Sequence, residues 1–271
     1  MTDTDTDTAP AADQTAETAA TSAAVLDRPT ARTLGGYLAT PLFVAVSLTV
    51  LYFYIQGQEL GDTADRFLTR DLIIDKTREH IVLSLVSTVF VLLIAIPLGV
   101  LLTREFASKL TGPILAVFNT GQATPSIGVL ALIAAIWGKV GFWPAIFGLV
   151  TYAALSVLRN TMVGLTQVDE AVLESGRGMG LTKLGVLLRI ELPLAVPIIL
   201  AGVRTALVLT VGSATLATFV AAGGLGEILS FGIGFNRPQV TLVGAALAAS
   251  LALMIDYIAG IAEDILRPKG L

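Results

Sequence analysis

Apolar residues come in six long blocks along this chain, separated by polar runs and without a steady amphipathic period. The blocks cover about 38–55, 81–102, 113–137, 143–158, 194–220 and 240–262. The hydrocarbon core of a bilayer is about 30 Å thick, so a spanning helix needs roughly 20 mostly apolar residues. The pattern therefore predicts an all-α, polytopic membrane fold of about six transmembrane helices. Gln122 and Pro125-Ser126 interrupt the third block, which predicts a bent or unwound segment packed against protein. Trp137 and Trp143 flank the turn between the third and fourth blocks and read as interface anchors.

Composition agrees with this reading. Charged residues are 14% of the chain, hydrophobic residues 54%, and the mean hydropathy is +0.80. A soluble fold needs more polar surface than that to cover its core. The net charge of −4 comes with no basic stripe, so nucleic acid is excluded as a partner. Without cysteine there is no disulfide, thiol nucleophile or Cys-based metal site. His80 is the one histidine and reads as an interfacial residue just before the second block. No metal site, cofactor site or catalytic residue is expected.

Six spans put both termini on one side. With the termini cytoplasmic, the inside segments hold ten Lys and Arg residues against six outside. Four of the outside ones (Arg66, Arg70, Lys76 and Arg78) sit in an acidic loop. The positive-inside rule then favours cytoplasmic termini. Residues 1–33, beginning with a TDTDTDT run, are too polar to offset the entropy of ordering and are expected to form a disordered acidic cytoplasmic tail. They do not read as a signal peptide. The expected organisation is that tail, then a first transmembrane helix and extracytoplasmic loop at 34–76. A membrane domain follows at 77–262, then a cytoplasmic tail at 263–271.

The longest polar stretch inside the apolar region, 161–191, falls on the cytoplasmic side. Residues 174–193 read ESGRGMGLTKLGVLLRIELP. Asp169 and Thr182 are candidate caps for two short helices joined at Gly176, Gly178 and Gly180. Leu184, Leu187, Leu188 and Leu192 lie on roughly one face of the second. Pro193 is expected to close that helix and start the next span. A short helix lying across the membrane face is a shape that docks into a partner's groove.

This stretch resembles the coupling loop of binding-protein-dependent ABC importer permeases, whose pattern is E-A-A-x(3)-G-x(9)-I-x-L-P. Glu174 opens the pattern, Gly180 is the spaced glycine, Ile190 the isoleucine, and Leu192-Pro193 the ending. Ser175-Gly176 stands where the family usually has two alanines, and glycine there weakens the helix by about 1 kcal/mol. The resemblance extends over about 77–262. It is strongest to osmoprotectant permeases for glycine betaine, choline or carnitine. The matching pieces are Pro97-Leu98-Gly99, Thr124-Pro125-Ser126, Leu158-Arg159-Asn160-Thr161, Arg177-Gly178-Met179-Gly180, Gly202-Val203-Arg204-Thr205-Ala206 and Gly223-Gly224-Leu225-Gly226.

The resemblance implies an importer permease of the type I fold, driven from outside the chain by alternating access. The chain has no G-x(4)-G-K-[ST], so it cannot cradle ATP phosphates itself. The implied partners are ATPase subunits acting on the loop at 168–193, an extracytoplasmic substrate-binding protein, and a second permease copy or paralogue. A quaternary ammonium is recognised over aromatic faces, and specificity is expected to begin in the binding protein. Another small solute (methionine, an amino acid or phosphate) is the alternative. A free-standing secondary transporter should show a related second half or several intramembrane acids, and neither is seen. An intramembrane enzyme lacks its H-E-x-x-H or G-x-S-x-G.

Further candidates lie inside the spans. Arg204 and Asp256 either pair between helices, lining or bracing the path, or snorkel separately to the interface. Thr205, Thr210, Ser213, Thr215 and Thr218 either line the path or hydrogen-bond to neighbouring helices. Pro125 breaks the third helix at a binding site or merely kinks it.

Overall fold

The computed structural model describes residues 34–58 and 67–266. The acidic tail at 1–33, part of the first loop, and residues 267–271 lie outside the described residues. Contacts divide the chain after Leu42. Of residues 1–42 the described part is the start of the first helix, α1 (Leu34–Gln56). Residues 43–271 hold everything that follows.

Among the described residues every element is helical. After α1 come α2 (Arg70–Leu102), a single 3₁₀ turn at Glu105–Ala107, α3 (Ser108–Ala123), α4 (Ser126–Trp137) and α5 (Phe142–Thr166). Two short helices, α6 (Glu170–Gly178) and α7 (Lys183–Val186), lead through a π turn at Leu187–Glu191 into α8 (Leu192–Ala214). A 3₁₀ run at Thr215–Val220 precedes α9 (Gly226–Gly234), and α10 (Pro238–Leu266) is last. Among the described residues five helices are long and apolar enough to cross a membrane, or six if α3 and α4 count as one broken span.

The third block is where the sequence predicted a disturbance, and the break is a full one. The segments on either side of Pro125 are bent by 109°. Proline has no N–H to continue α3, and it drives Thr124 to an extended ψ of 137°. The Pro125 carbonyl then opens α4 by accepting from Gly128 N at 2.8 Å. No ordinary kink would turn the chain this far.

Helices run across two of the expected boundaries. The membrane domain was expected from 77, yet α2 already begins at Arg70, where the Thr69 side chain accepts from Leu72 N. The added turns stay helical because Leu72 and Ile73 pack against Leu225, Ile228 and Val240. At the other end, α10 runs past 262 through Glu263 to Leu266, and Glu263 turns back to Arg204 at 3.5 Å. The chain between the fifth and sixth blocks is not a plain link but holds α9, whose Ile228 is fully buried.

α5 is the centre of the bundle. It packs against α2, α3, α4 and α8, and fourteen of its residues are buried, among them Ile146, Leu149, Val157 and Leu158. Small residues bring the backbones together. A β-carbon on Gly202 of α8 would lie 2.6 Å from Asn160 Cβ and 3.0 Å from the Ser156 carbonyl. One on Gly99 of α2 would lie 2.8 Å from Thr161 Cβ. Both contacts are with backbone or the stem of a side chain, so neither neighbour can swing away. Replacing Gly202 by Val should therefore force α5 and α8 apart and cost about 1–3 kcal/mol. Gly112, with nothing within 4 Å of its would-be β-carbon, is the control. Thermal unfolding of the detergent-solubilised protein should show a lowered midpoint for Gly202→Val and none for Gly112→Ala.

Candidate functional site

The loop between α5 and α8 is built from its caps inward. Asp169 Oδ1 accepts from Ala171 N at 2.9 Å and starts α6. Glu170 and Arg177 pair across its exposed face at 2.8 Å. The helix ends in a Schellman arrangement: Gly180 N–H bonds to the Arg177 carbonyl at 2.9 Å, and Leu181 N–H to that of Gly176 at 3.2 Å. Gly180 is the left-handed residue of that arrangement, with φ of +87°. This is the backbone reason for a glycine at that place in the motif. Thr182 then caps α7 by accepting from Gly185 N at 3.1 Å.

Gly176, the departure from the alanine pair, has a local explanation. It is buried, and a β-carbon there would run into Ile190 Cδ1. Two residues of the motif thus touch directly, and the smaller one makes room for the larger. Glu174 and Ser175 are exposed on the same helix. So are Val172, Met179, Leu184 and Leu188, which give the loop an apolar outer surface. Large exposed apolar side chains on a membrane-face loop mark a contact surface. Leu187 and Leu192 instead turn inward to Leu165, Ala195 and Ile199, so the four leucines expected on one face divide between two.

Pro193 does not close a helix. The chain is helical without interruption from Lys183 to Val220. In the π turn, Leu192 N–H reaches back to the Leu187 carbonyl, and Pro193 follows in the first turn of α8. A widened turn accommodates a residue that has no N–H to donate to the turn before it. The second half of the loop, from α7 onward, and the fifth span therefore form one continuous rod.

Glu191 anchors that rod. Its side chain is 7% exposed, and its carboxylate is held at two points by Arg104, Nη1 to Oε1 at 3.3 Å and Nη2 to Oε2 at 2.5 Å. Arg104 also donates from Nε to the Val100 carbonyl. Bidentate pairing offsets the cost of burying the carboxylate, which would be unpaired without the arginine. The pair ties the end of α2 to the π turn.

Deeper in, Arg204 of α8 grips Asp256 of α10, with Nε to Oδ1 at 2.6 Å and Nη2 to Oδ2 at 2.8 Å. Each is about one-third exposed. Thr205 is exposed and bonds to the Ala201 carbonyl one turn back. Thr210 and Thr215 likewise bond within their own segment, to Ala206 and Gly212, and not to a neighbouring helix. The reason is geometric, since a threonine hydroxyl in a helix lies within reach of the carbonyl one turn earlier. Pro125 is exposed at the α3–α4 break.

Sequence reasoning placed His80 at the interface, but it is fully buried inside α2. Nε2 lies 3.0 Å from the Val211 carbonyl, and Nδ1 accepts from Leu225 N at 3.3 Å. A signal was present. His80, Ser84 and Thr88 recur every four residues in an otherwise apolar run and form one buried polar stripe, with Ser84 bonded to the His80 carbonyl and Thr88 to that of Ser84. Glu191 was passed over as one polar residue among many, because its partner lies 87 residues earlier.

Comparison with known proteins agrees with this geometry. The profile of the family described as the inner membrane component of binding-protein-dependent transport systems matches residues 95–269. The chain is 42% identical over 196 residues to the choline transport system permease protein OpuBB of Bacillus subtilis, covering 72% of this chain and 89% of that one. It is 41% identical, with the same coverage, to the glycine betaine/carnitine/choline transport system permease protein OpuCB of the same organism. Among solved structures it is similar to a chain of the MetNI methionine ABC transporter in inward-facing conformations. The TM-score there is 0.64 at 25% identity, covering 73% of this chain and 97% of that one. The chain therefore belongs to the family of binding-protein-dependent transport system inner membrane components, and is a multi-pass, non-catalytic permease subunit of an ABC importer in the cytoplasmic membrane.

Proposed function

We propose that this permease imports a small quaternary-ammonium osmoprotectant, of the glycine betaine, choline or carnitine class. The observation that carries this is the identity of 41–42% over 72% of the chain to permeases named for those solutes. The 25% identity to the methionine transporter chain is the ground for the alternative, a different small solute. Both termini face the cytoplasm, which puts the α6–α7 loop there too. ATPase subunits dock on that loop, a binding protein delivers solute on the opposite side, and a second copy or a paralogue completes the path. The transport domain is the stretch 77–262, lengthened at its start by the first turns of α2.

In this reading Glu174, Ser175, Gly176, Gly180, Ile190, Leu192 and Pro193 form the coupling element. Glu174 and Ser175 face the ATPase with Met179 and Leu184. Gly176 against Ile190 locks α6 onto the rod, and Gly180 sets the angle between α6 and α7. Leu192 and Pro193 carry the push through the π turn into α8. Arg204 with Asp256 braces α8 against α10, with Thr205 beside it and Pro125 shaping the path where α3 turns into α4. An ion pair inside a span is costly unless partners hold it, so the brace confines both charges to one arrangement.

Three outcomes are expected. Reconstituted with its ATPase and binding protein, the complex should hydrolyse ATP faster on addition of glycine betaine or choline; stimulation by methionine alone would rule out the osmoprotectant solute and leave the importer standing. Gly180→Leu places a β-carbon at positive φ and should cost the loop about 1–2 kcal/mol. Together with Glu174→Ala, it should lower the ratio of solute moved to ATP hydrolysed, and a parental ratio in both variants would contradict the coupling role. Arg204→Asp and Asp256→Arg should each depress uptake, while the double exchange should recover it; uptake that stays low in the double variant would refute the brace.

A further inference from the structure

At the end of the bundle away from the coupling loop, α8 does not simply stop. It tightens into a 3₁₀ run at Thr215–Val220, longer than the three or four residues at which such runs usually end. The run closes in a left-handed turn at Ala221, with φ of 56°, and Gly223 and Gly224 follow at 81° and 84°. Ala221 carries a β-carbon in a left-handed conformation, a local cost offset by the turn's own bonds, Ala221 N–H to the Thr218 carbonyl at 2.9 Å and Ala222 N–H to that of Ala217 at 3.1 Å, and by the surroundings.

Gly141, just before α5, donates its N–H to the Val220 carbonyl at 2.6 Å, and α2 makes the side-chain ties. His80 bonds to the Val211 carbonyl where α hydrogen bonding gives way to 3₁₀, and receives the N–H of Leu225 beyond the turn. An imidazole that accepts at Nδ1 and sits against a carbonyl at Nε2 is neutral, with its proton on Nε2. Glu79 receives the N–H of Gly224 at 2.9 Å, and Lys76 pairs with both Glu79 and Glu227. Both glycines sit at positive φ, where L side chains are strained, and a β-carbon at 223 would also meet the end of the Glu79 side chain while one at 224 would lie 3.1 Å from His80 Nδ1. The turn borders a cavity of about 410 Å³ lined by Asp75, Arg78, Glu79, Val82, Phe142 and Ala222.

The same two rods are joined again at their other ends by Arg104 and Glu191, about 36 Å further along α2 and about 30 Å back along α8 at 1.5 Å per residue. We propose that Glu79 and His80 are positioning residues for transport: they latch the 215–226 segment across the end of the bundle opposite the coupling loop, and the latch releases when the path opens at that end. The inference rests on the permease reading above only for its sidedness, with the latch extracytoplasmic. Released, the turn relaxes and Ala221 to Gly224 can swing about the buried Leu225; engaged, α2 and α8 are joined at both ends and move together.

The chain has no cysteine, so a single introduced thiol reports the segment cleanly. Val220 is 4% exposed and close in volume to cysteine. The experiment uses the permease assembled with its ATPase in proteoliposomes, and follows the reaction of Val220→Cys with a membrane-impermeant maleimide without ATP or solute. The parent should react slowly. His80→Leu removes both imidazole bonds and should raise the rate roughly tenfold or more. His80→Gln and His80→Asn each restore one bonding atom and should fall between. Glu79→Ala, at an exposed position, removes the oxygen that receives the Gly224 N–H and should also raise it, and carries the test if His80→Leu does not assemble. Uptake should fall in the same order as labelling rises. Parental labelling in Glu79→Ala and in the assembled His80 variants would overturn the latch. Labelling that rises only when reagent is on the cytoplasmic face would overturn the assigned orientation and leave the latch intact.

Discussion

Hydrocarbon offers no water to an unpaired N–H or carbonyl, and this one constraint shapes the whole chain. It makes the long segments helical, and it also dictates how they are interrupted. At the first break, Pro125 has no N–H to leave unpaired, and its carbonyl starts the next helix. At the second, a π turn keeps the Leu192 N–H bonded while Pro193 passes. At the third, the turn after the 3₁₀ run is completed by side chains of another helix, Glu79 and His80. At each of these three breaks the backbone N–H at the break is either absent or bonded.

The second requirement is close approach. α5 is buried on most sides because glycines on its neighbours let backbone meet backbone. Packing of that kind is stiff, since no long side chain stands between the helices to give way. The stiffness matters for an importer powered from outside. A displacement at α7 reaches α8 through an unbroken rod, and reaches α2 through the Arg104–Glu191 pair. Rigid elements tied at discrete points are suited to switching between two arrangements.

Much of this was legible in the sequence, and the reasons are local. Apolar block length predicted the spans, the Pro125 interruption predicted the bend, and Asp169 and Thr182 were legible as caps because a cap acts within three residues of itself. Gly180 was legible as a breaker, and its left-handed φ gives the physical cause. Less legible were the ends of α2 and α10, which run on because residues distant in the chain pack against them or pair with them. Pro193 misled as a stop signal, since the π turn that carries the helix past it has no local signature strong enough to predict.

The sequence by itself determined that this is a helical membrane protein, that its fourth and fifth spans are joined by a polar loop of a particular motif, and that ATP must be bound elsewhere. Each of these depends on composition, period or spacing within some twenty residues. Only the tertiary structure decided which polar groups meet. Arg104 finds Glu191 across 87 positions, Arg204 finds Asp256 across 52, and Glu79 finds Gly224 across 145. A residue's own neighbours in the chain report its helix and its face, but the partner that neutralises a charge or receives an N–H is chosen by how helices pack. For this chain that choice turns a set of spans into two rods tied at both ends.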